Sequence, residues 1–185
     1  MSERVCPWWL GYLLVNPLRK LIYKPENILK PYIHEGMTVL EVGSGMGFFT
    51  LPMARLVGES GHVVCVDLQE RMLRAVKKRA VRAGLSNRIE LRVCTPTSLG
   101  IDDLAEKVDF ALVFYVVHEV PDAKRFLSEI QRSLGKGGLL LFSEPVGHVP
   151  KEAFEDTLAT AQILGFRIAD SPKIRRSYSS LWVKD

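Results

Sequence analysis

A chain of 185 residues, 47% hydrophobic and 25% charged, has the composition of one well-packed globular domain, which argues against disorder and is short for two domains. Its formal charge of +4 is too small to demand a polyanionic partner. Three cysteines without metal-like spacing read as reduced thiols of a cytoplasmic protein, with Cys65 and Cys94 expected in core strands.

The chain opens on an apolar stretch, "VCPWWLGYLLV" (5–15), that Pro7 interrupts. It falls well short of the roughly 20 residues of a membrane span, and no small-residue cleavage site follows it. With the basic residues Arg19, Lys20 and Lys24 behind it, residues 1–35 read as a helical extension and candidate lid. Docking on the domain and lying on a membrane surface both stay open. The domain proper is expected over residues 36–185.

Within that domain, strand-like and helix-like segments alternate. "MTVLEV" (37–42) is a short buried-strand run, followed by glycines and a helical stretch to about Val57. "HVVCVD" (62–67) is the second such run. Apolar residues at Met72, Val76, Ala80 and Ala83 then recur at helical spacing up to a stop at Gly84. "RIELRV" (88–93) is the third strand, and "VDFALVFYVV" (108–117) contains the fourth. Asp122 can cap a helix with Phe126, Leu127, Ile130 and Leu134 on its apolar face, ended by Gly135. The turn "GKGG" leads into a fifth strand, "LLLFSE" (139–144), and a helix runs from about Lys151 to Gly165. "FRIAD" and "SYSSLWVKD" leave no room for a helix between them, so they are expected to pair antiparallel. The alternation predicts a doubly wound, Rossmann-like α/β domain, with its ligand at the carboxyl ends of the strands.

The glycine loop, "VLEVGSGMGFFT" (39–50), narrows the ligand. Gly43, Gly45 and Gly47 are spaced two apart, and Phe48 stands where a dinucleotide fingerprint wants its third glycine. No lysine follows to make a triphosphate loop. Asp67 ends the second strand, where an acid can accept both hydroxyls of an adenosine ribose, or cap the helix that follows.

"VLEVGSGMGFFT", the acid of "VVCVDLQERML", "VDFALVFYVVHEV" and "LGKGGLLLFSEP" together resemble the successive motifs of class I S-adenosylmethionine-dependent methyltransferases, in the small-molecule, type 11 style. The resemblance covers residues 25–170. It implies a seven-stranded sheet with the last strand antiparallel and S-adenosyl-L-methionine as cofactor. The loop Glu41, Gly43, Ser44, Gly45 and Gly47 would wrap the methionine end, Asp67 the ribose and Leu68 the adenine, with Phe114 also against the cofactor. Many relatives carry an acid for the adenine amino group after the third strand. Here that stretch is "RVCTPTS", and Thr95 takes the place.

Methyl transfer from a sulfonium needs alignment first, and a base only if the acceptor must lose a proton. Tyr115, His118, Glu119, Glu144 and His148 fall where the resemblance places the acceptor, and His118, Tyr115 and Glu144 are the candidate catalytic residues. His118 leads, because imidazole titrates near neutral pH. Spacing specifies no metal site among them. The Asn- or Asp-Pro-Pro-Tyr signature of amino-methylating enzymes is absent, and the several acceptor-site cysteines of arsenite methyltransferases are missing. With no length for a recognition domain, nucleic acid is not expected, and the acceptor reads as small or lipid-like, with peripheral membrane contact left open. Two other readings stand beside this one: a non-catalytic partner protein that binds the cofactor, and an NAD(P)-binding oxidoreductase domain.

Overall fold

The computed structural model describes residues 23–185. Its first helix, α1 (Pro25–Leu29), is opened by a proline, whose missing N–H costs nothing in a first turn. Tyr23, Leu29 and Ile33 are buried there among Phe49, Met53 and Phe110, so this part of the N-terminal extension belongs to the core.

The strands are β1 (Thr38–Val42), β2 (His62–Asp67), β3 (Ile89–Val93), β4 (Val108–Phe114), β5 (Leu134–Pro145), β6 (Phe166–Asp170) and β7 (Ser177–Lys184). They form one sheet in the order β3-β2-β1-β4-β5-β7-β6. The first five run parallel, and β7 lies antiparallel between β5 and β6. The helices are α2 (Thr50–Leu56), α3 (Glu70–Ala83), α4 (Ala123–Ser133) and α5 (Lys151–Ile163).

Alternation along each strand divides the core in two. Leu40, Val42, Val64, Val66, Ala111 and Val113 pack with Phe126, Leu127 and Ile130 of α4 and Phe154 of α5. Val39, Val63, Cys65, Phe110 and Leu112 pack on the other face with Met53 of α2 and Leu73 of α3. Both faces of β1, β2 and β4 are therefore dry, which is why these strands read as nearly continuous apolar runs, whereas the edge strand β3 is only half-buried.

The predicted helix punctuation holds. Gly84, at φ +68°, ends α3 in the left-handed conformation, with the Leu85 N–H on the Ala80 carbonyl. The Asp122 carboxylate accepts from the Arg125 N–H and caps α4.

Two expected boundaries move. Helix α4 ends at Ser133 rather than Gly135, because Leu134 is already extended and pairs with Val108. "GKGG" is likewise no detached turn; it lies inside the twelve-residue β5, where the register slips between Val108↔Leu134 and Phe110↔Leu139. Glycine is required in that irregularity, since a Cβ on Gly138 would stand 2.8 Å from the Gly135 carbonyl oxygen.

The chain leaves β1 toward β2 and β3, then crosses back to β4 on the other side. That reversal opens a crevice beyond the carboxyl ends of β1 and β4, where open α/β sheets bind ligands. Among the described residues, no helix is long and apolar enough to cross a membrane.

Candidate active site

A cavity of about 440 Å³ fills this crevice, a volume typical of small-molecule sites. Glu41, Gly43, Ser44 and Gly45 line it from β1, Asp67 and Leu68 from β2, and Cys94 and Thr95 from beyond β3. From β4 and beyond come Phe114, Tyr115, His118 and Glu119. Adjacent strands lie about 4.8 Å apart, so the cavity extends across the sheet from the β2–β3 side toward β5.

The three glycines do different things. Gly43, at φ +74°, lets the loop pass under Val116; a Cβ there would sit 2.3 Å from Val116 Cγ2. Gly45, at φ +52°, borders the cavity, and a Cβ there would meet nothing within 4 Å. Gly47 lies outside the lining, and its missing Cβ makes room for Leu51 and Val76.

Two side chains brace this loop from elsewhere in the fold. The Asp67 carboxylate accepts from the Gly45 N–H and the Gln69 N–H, each at 2.8 Å. Arg79 of α3 donates to the Met46 carbonyl. Asp67 thus joins the glycine loop to the turn that leads into α3; the N-cap of that helix is Gln69, with no side-chain cap, so Asp67 braces the turn rather than capping the helix. Burial raises its pKa, the two N–H donors oppose that, and Glu119 adds to the rise.

Glu41 is 3% exposed on the α2–α3 face of β1. The hydroxyl of Thr50 and, at 3.5 Å, the thiol of Cys65 donate to Oε2. Burial pushes its pKa up to about 8, with Asp67 adding to the rise and the two donors and Arg79 opposing it. The buried Ser44 Oγ has no hydrogen-bond partner among the described residues.

Beyond β3, the Thr95 hydroxyl is engaged within its own turn: it accepts from the Ser98 N–H at 3.0 Å and lies 3.3 Å from the Ser98 carbonyl. Pro96 offers no backbone donor. Cys94 does not occupy the core-strand position expected of it: β3 ends at Val93, and Cys94 lines the cavity half-buried. Glu129, unmarked by any sequence motif, also faces the cavity from α4 and accepts from the Leu99 N–H at 2.7 Å. Its signal was an acid within the apolar stripe of that helix.

On the β4–β5 side, Phe48, Phe49, Phe114 and Tyr115 form an aromatic wall, with Phe49–Phe114 and Phe114–Tyr115 centroids 4.7 and 4.3 Å apart. Tyr115 has φ +66°, a conformation that bulky residues adopt only when held there. Its N–H donates to the Ser143 carbonyl, and its hydroxyl meets those of Tyr23 (2.8 Å) and Ser177 (2.6 Å).

His118 faces the cavity, whereas Glu144 lies behind it, 2% exposed and outside the lining. Glu144 Oε2 is 2.6 Å from His118 Nδ1, and Oε1 accepts from the His118 N–H at 3.3 Å. Glu119 Oε1 stands 3.8 Å from Nε2, and the His148 ring packs edge-on with centroids 5.0 Å apart. Burial lowers the imidazole pKa, but Glu144 and Glu119 more than offset it, and the net direction is up. The structure brings these four residues together, yet among the described residues no group of three or more His, Cys, Asp or Glu is arranged to hold a metal ion.

The lining fits an adenosyl amino acid. It offers a carboxylate at the end of β2, an unpartnered buried hydroxyl at Ser44, and a bare backbone at Gly45 where any side chain would enter the space.

Residues 33–176 match the model of a family described as a methyltransferase domain. The chain is 30% identical over 151 residues to a ubiquinone/menaquinone biosynthesis C-methyltransferase of Hahella chejuensis, covering 78% of this chain and 60% of that protein. It is 29% identical over 162 residues to a demethylmenaquinone methyltransferase of Lactobacillus johnsonii, covering 84% and 64%. The chain therefore spans less than two thirds of these relatives' length. A SAM dependent methyltransferase from Aquifex aeolicus shares the fold, with a TM-score of 0.84, 24% identity, and coverage of 97% and 98%.

Proposed function

The chain belongs to the class I S-adenosylmethionine-dependent methyltransferases, and from that premise we propose that it transfers a methyl group to a small apolar acceptor, a quinol-like ring. One observation carries this reading: a single cavity joins the glycine loop and Asp67 to the aromatic wall of Phe48, Phe49, Phe114 and Tyr115. A flat apolar ring finds stacking surface against such side chains. The relatives named for quinone biosynthesis support the same acceptor class and a carbon as the methylated atom.

In this reading Gly45 and Ser44 hold the amino-acid end of the cofactor and Asp67 the ribose, with Leu68 and the Thr95–Ser98 turn beside the adenine. Bound there, the cofactor supplies a methyl group made electrophilic by a sulfonium. The protein aligns the acceptor with it and keeps water away, which is where most of the acceleration arises in such a displacement. Braced by Asp67 and Arg79, the loop is set before the ligand arrives. The test is to incubate the full chain with S-adenosylmethionine and a short-chain demethylmenaquinol under reducing conditions and to follow product mass. A gain of one methyl on the ring supports the reading; cofactor binding without transfer returns the chain to the non-catalytic alternative.

A further inference from the structure

Resting on the methyltransferase reading, we propose that His118 takes a proton from the acceptor through Nε2 and that Glu144 is the residue that positions it, which makes the acceptor a hydroxylated aromatic ring that must shed a proton to be methylated on carbon. The geometry assigns the two ring nitrogens. A carboxylate only accepts hydrogen bonds, so Nδ1, 2.6 Å from Glu144 Oε2, carries the ring proton and the free lone pair lies on Nε2. Glu144 also accepts from the His118 backbone N–H, so one carboxylate fixes the position of both main chain and ring. At 2% exposure it is itself immobilised between β4 and β7.

The need for a base follows from the balance of the reaction. A ring carbon beside a hydroxyl uses its π electrons to form the new C–C bond, while the C–S pair stays on sulfur. The pair of the ring C–H bond then returns to the ring, and the proton goes to Nε2. A thioether or tertiary amine acceptor loses no proton and has no use for a buried carboxylate–imidazole pair. The groups facing the imidazole are Glu144 from β5, Glu119 from the turn after β4 and His148 from the loop after β5. Two acids against one neighbouring imidazole favour the imidazolium, the product of proton uptake.

The experiment has a spectroscopic arm and a kinetic arm. In the full chain with S-adenosylhomocysteine, the His118 ring is titrated by NMR, and Glu144→Gln is expected to lower its pKa and to lose the Nδ1–H tautomer. With the short-chain demethylmenaquinol, the acid limb of the kcat/KM profile moves to lower pH in the same variant. His118→Gln loses about a hundredfold or more in kcat, with homocysteine-ligand affinity unchanged. If Glu144→Gln does not fold, Glu144→Asp keeps the charge and should retain the raised titration in part. An unmoved titration in a folded Glu144→Gln, or full turnover in His118→Gln, overturns the proposal. A wild-type chain that binds S-adenosylhomocysteine but leaves the quinol unmethylated overturns the acceptor class. Absence of S-adenosylhomocysteine binding would instead bring down the reading on which it rests.

Discussion

The Asp67 carboxylate and the Gly45 N–H, 22 residues apart, are joined by a 2.8 Å hydrogen bond across the floor of the cavity. In the proposed reading the same side chain also holds the ribose, so substitution is expected to disturb ligand binding and loop structure together.

Asp67→Ala is accordingly expected to weaken S-adenosylhomocysteine binding at least tenfold, since each hydrogen bond to a charged group is worth about 1.5–3 kcal/mol. It should also lower Tm, because the Gly45 and Gln69 donors lose their acceptor. Calorimetry and thermal melts on the same samples separate the two effects. A lower Tm with unchanged affinity would leave Asp67 as a brace alone.

Gly45 and Gly43 should fail in opposite ways. Gly45→Ala meets nothing in the protein and costs about 1–2 kcal/mol for its left-handed backbone, so the variant folds but binds S-adenosylhomocysteine at least tenfold more weakly. Gly43→Ala meets Val116 Cγ2 at 2.3 Å and should lose about 1–3 kcal/mol of stability by overpacking. Adding Val116→Ala should restore part of that loss. If the double variant melts no higher than Gly43→Ala, the close approach is not what demands glycine.

What the sequence disclosed followed physical lines. Strands dry on both faces leave apolar runs, and caps such as Asp122 and Gly84 act on neighbours a few residues away, so both were legible. His118 and Glu144 could each be named, but their bond depends on the β4–β5 register that sets Phe114 opposite Ser143. Arg79 and Glu129 reach loops 33 and 30 residues distant, and no local pattern announces such a reach. The start of β5 was misplaced because its glycines, ordinarily turn residues, here accommodate a slipped register.

Glu41 makes stability depend on pH, and its raised pKa offers a test of where the cofactor's ammonium group lies. Its pKa is about 8 in the folded chain, against an ordinary 4.5. Between those values the folded state holds a proton that the unfolded state releases, so stability falls as pH rises through this window. Glu41→Gln removes the dependence, and its melting temperature should gain on wild type from pH 5 to pH 8. Were the cofactor's ammonium group to lie beside Glu41, binding would expel the proton. Calorimetry at pH 7 in buffers of different ionisation enthalpy should then show proton release in wild type and none in Glu41→Gln. Equal proton release in both would place the ammonium elsewhere.

The hydroxyls of Tyr23, Tyr115 and Ser177 tie the entry of the N-terminal segment to the ends of β4 and β7. Of the candidate lid within residues 1–35, residues 1–22 lie outside the described residues. Tyr23 itself is 8% exposed and packs edge-on to Phe114, with centroids 5.8 Å apart. A chain beginning at Tyr23 therefore keeps its core contacts and should fold and bind S-adenosylhomocysteine as the full chain does. The removed stretch carries Trp8, Trp9, Tyr12, Leu13 and Leu14, apolar surface suited to closing over an apolar acceptor. Methyl transfer to the short-chain demethylmenaquinol should fall at least tenfold, mainly through KM, in this shortened chain. Tyr115→Phe should show a smaller rise in KM, with the same homocysteine-ligand affinity. Undiminished transfer by the shortened chain would refute the lid. Undiminished transfer to soluble quinol, with loss of co-sedimentation on anionic vesicles, would mark the stretch as a membrane contact.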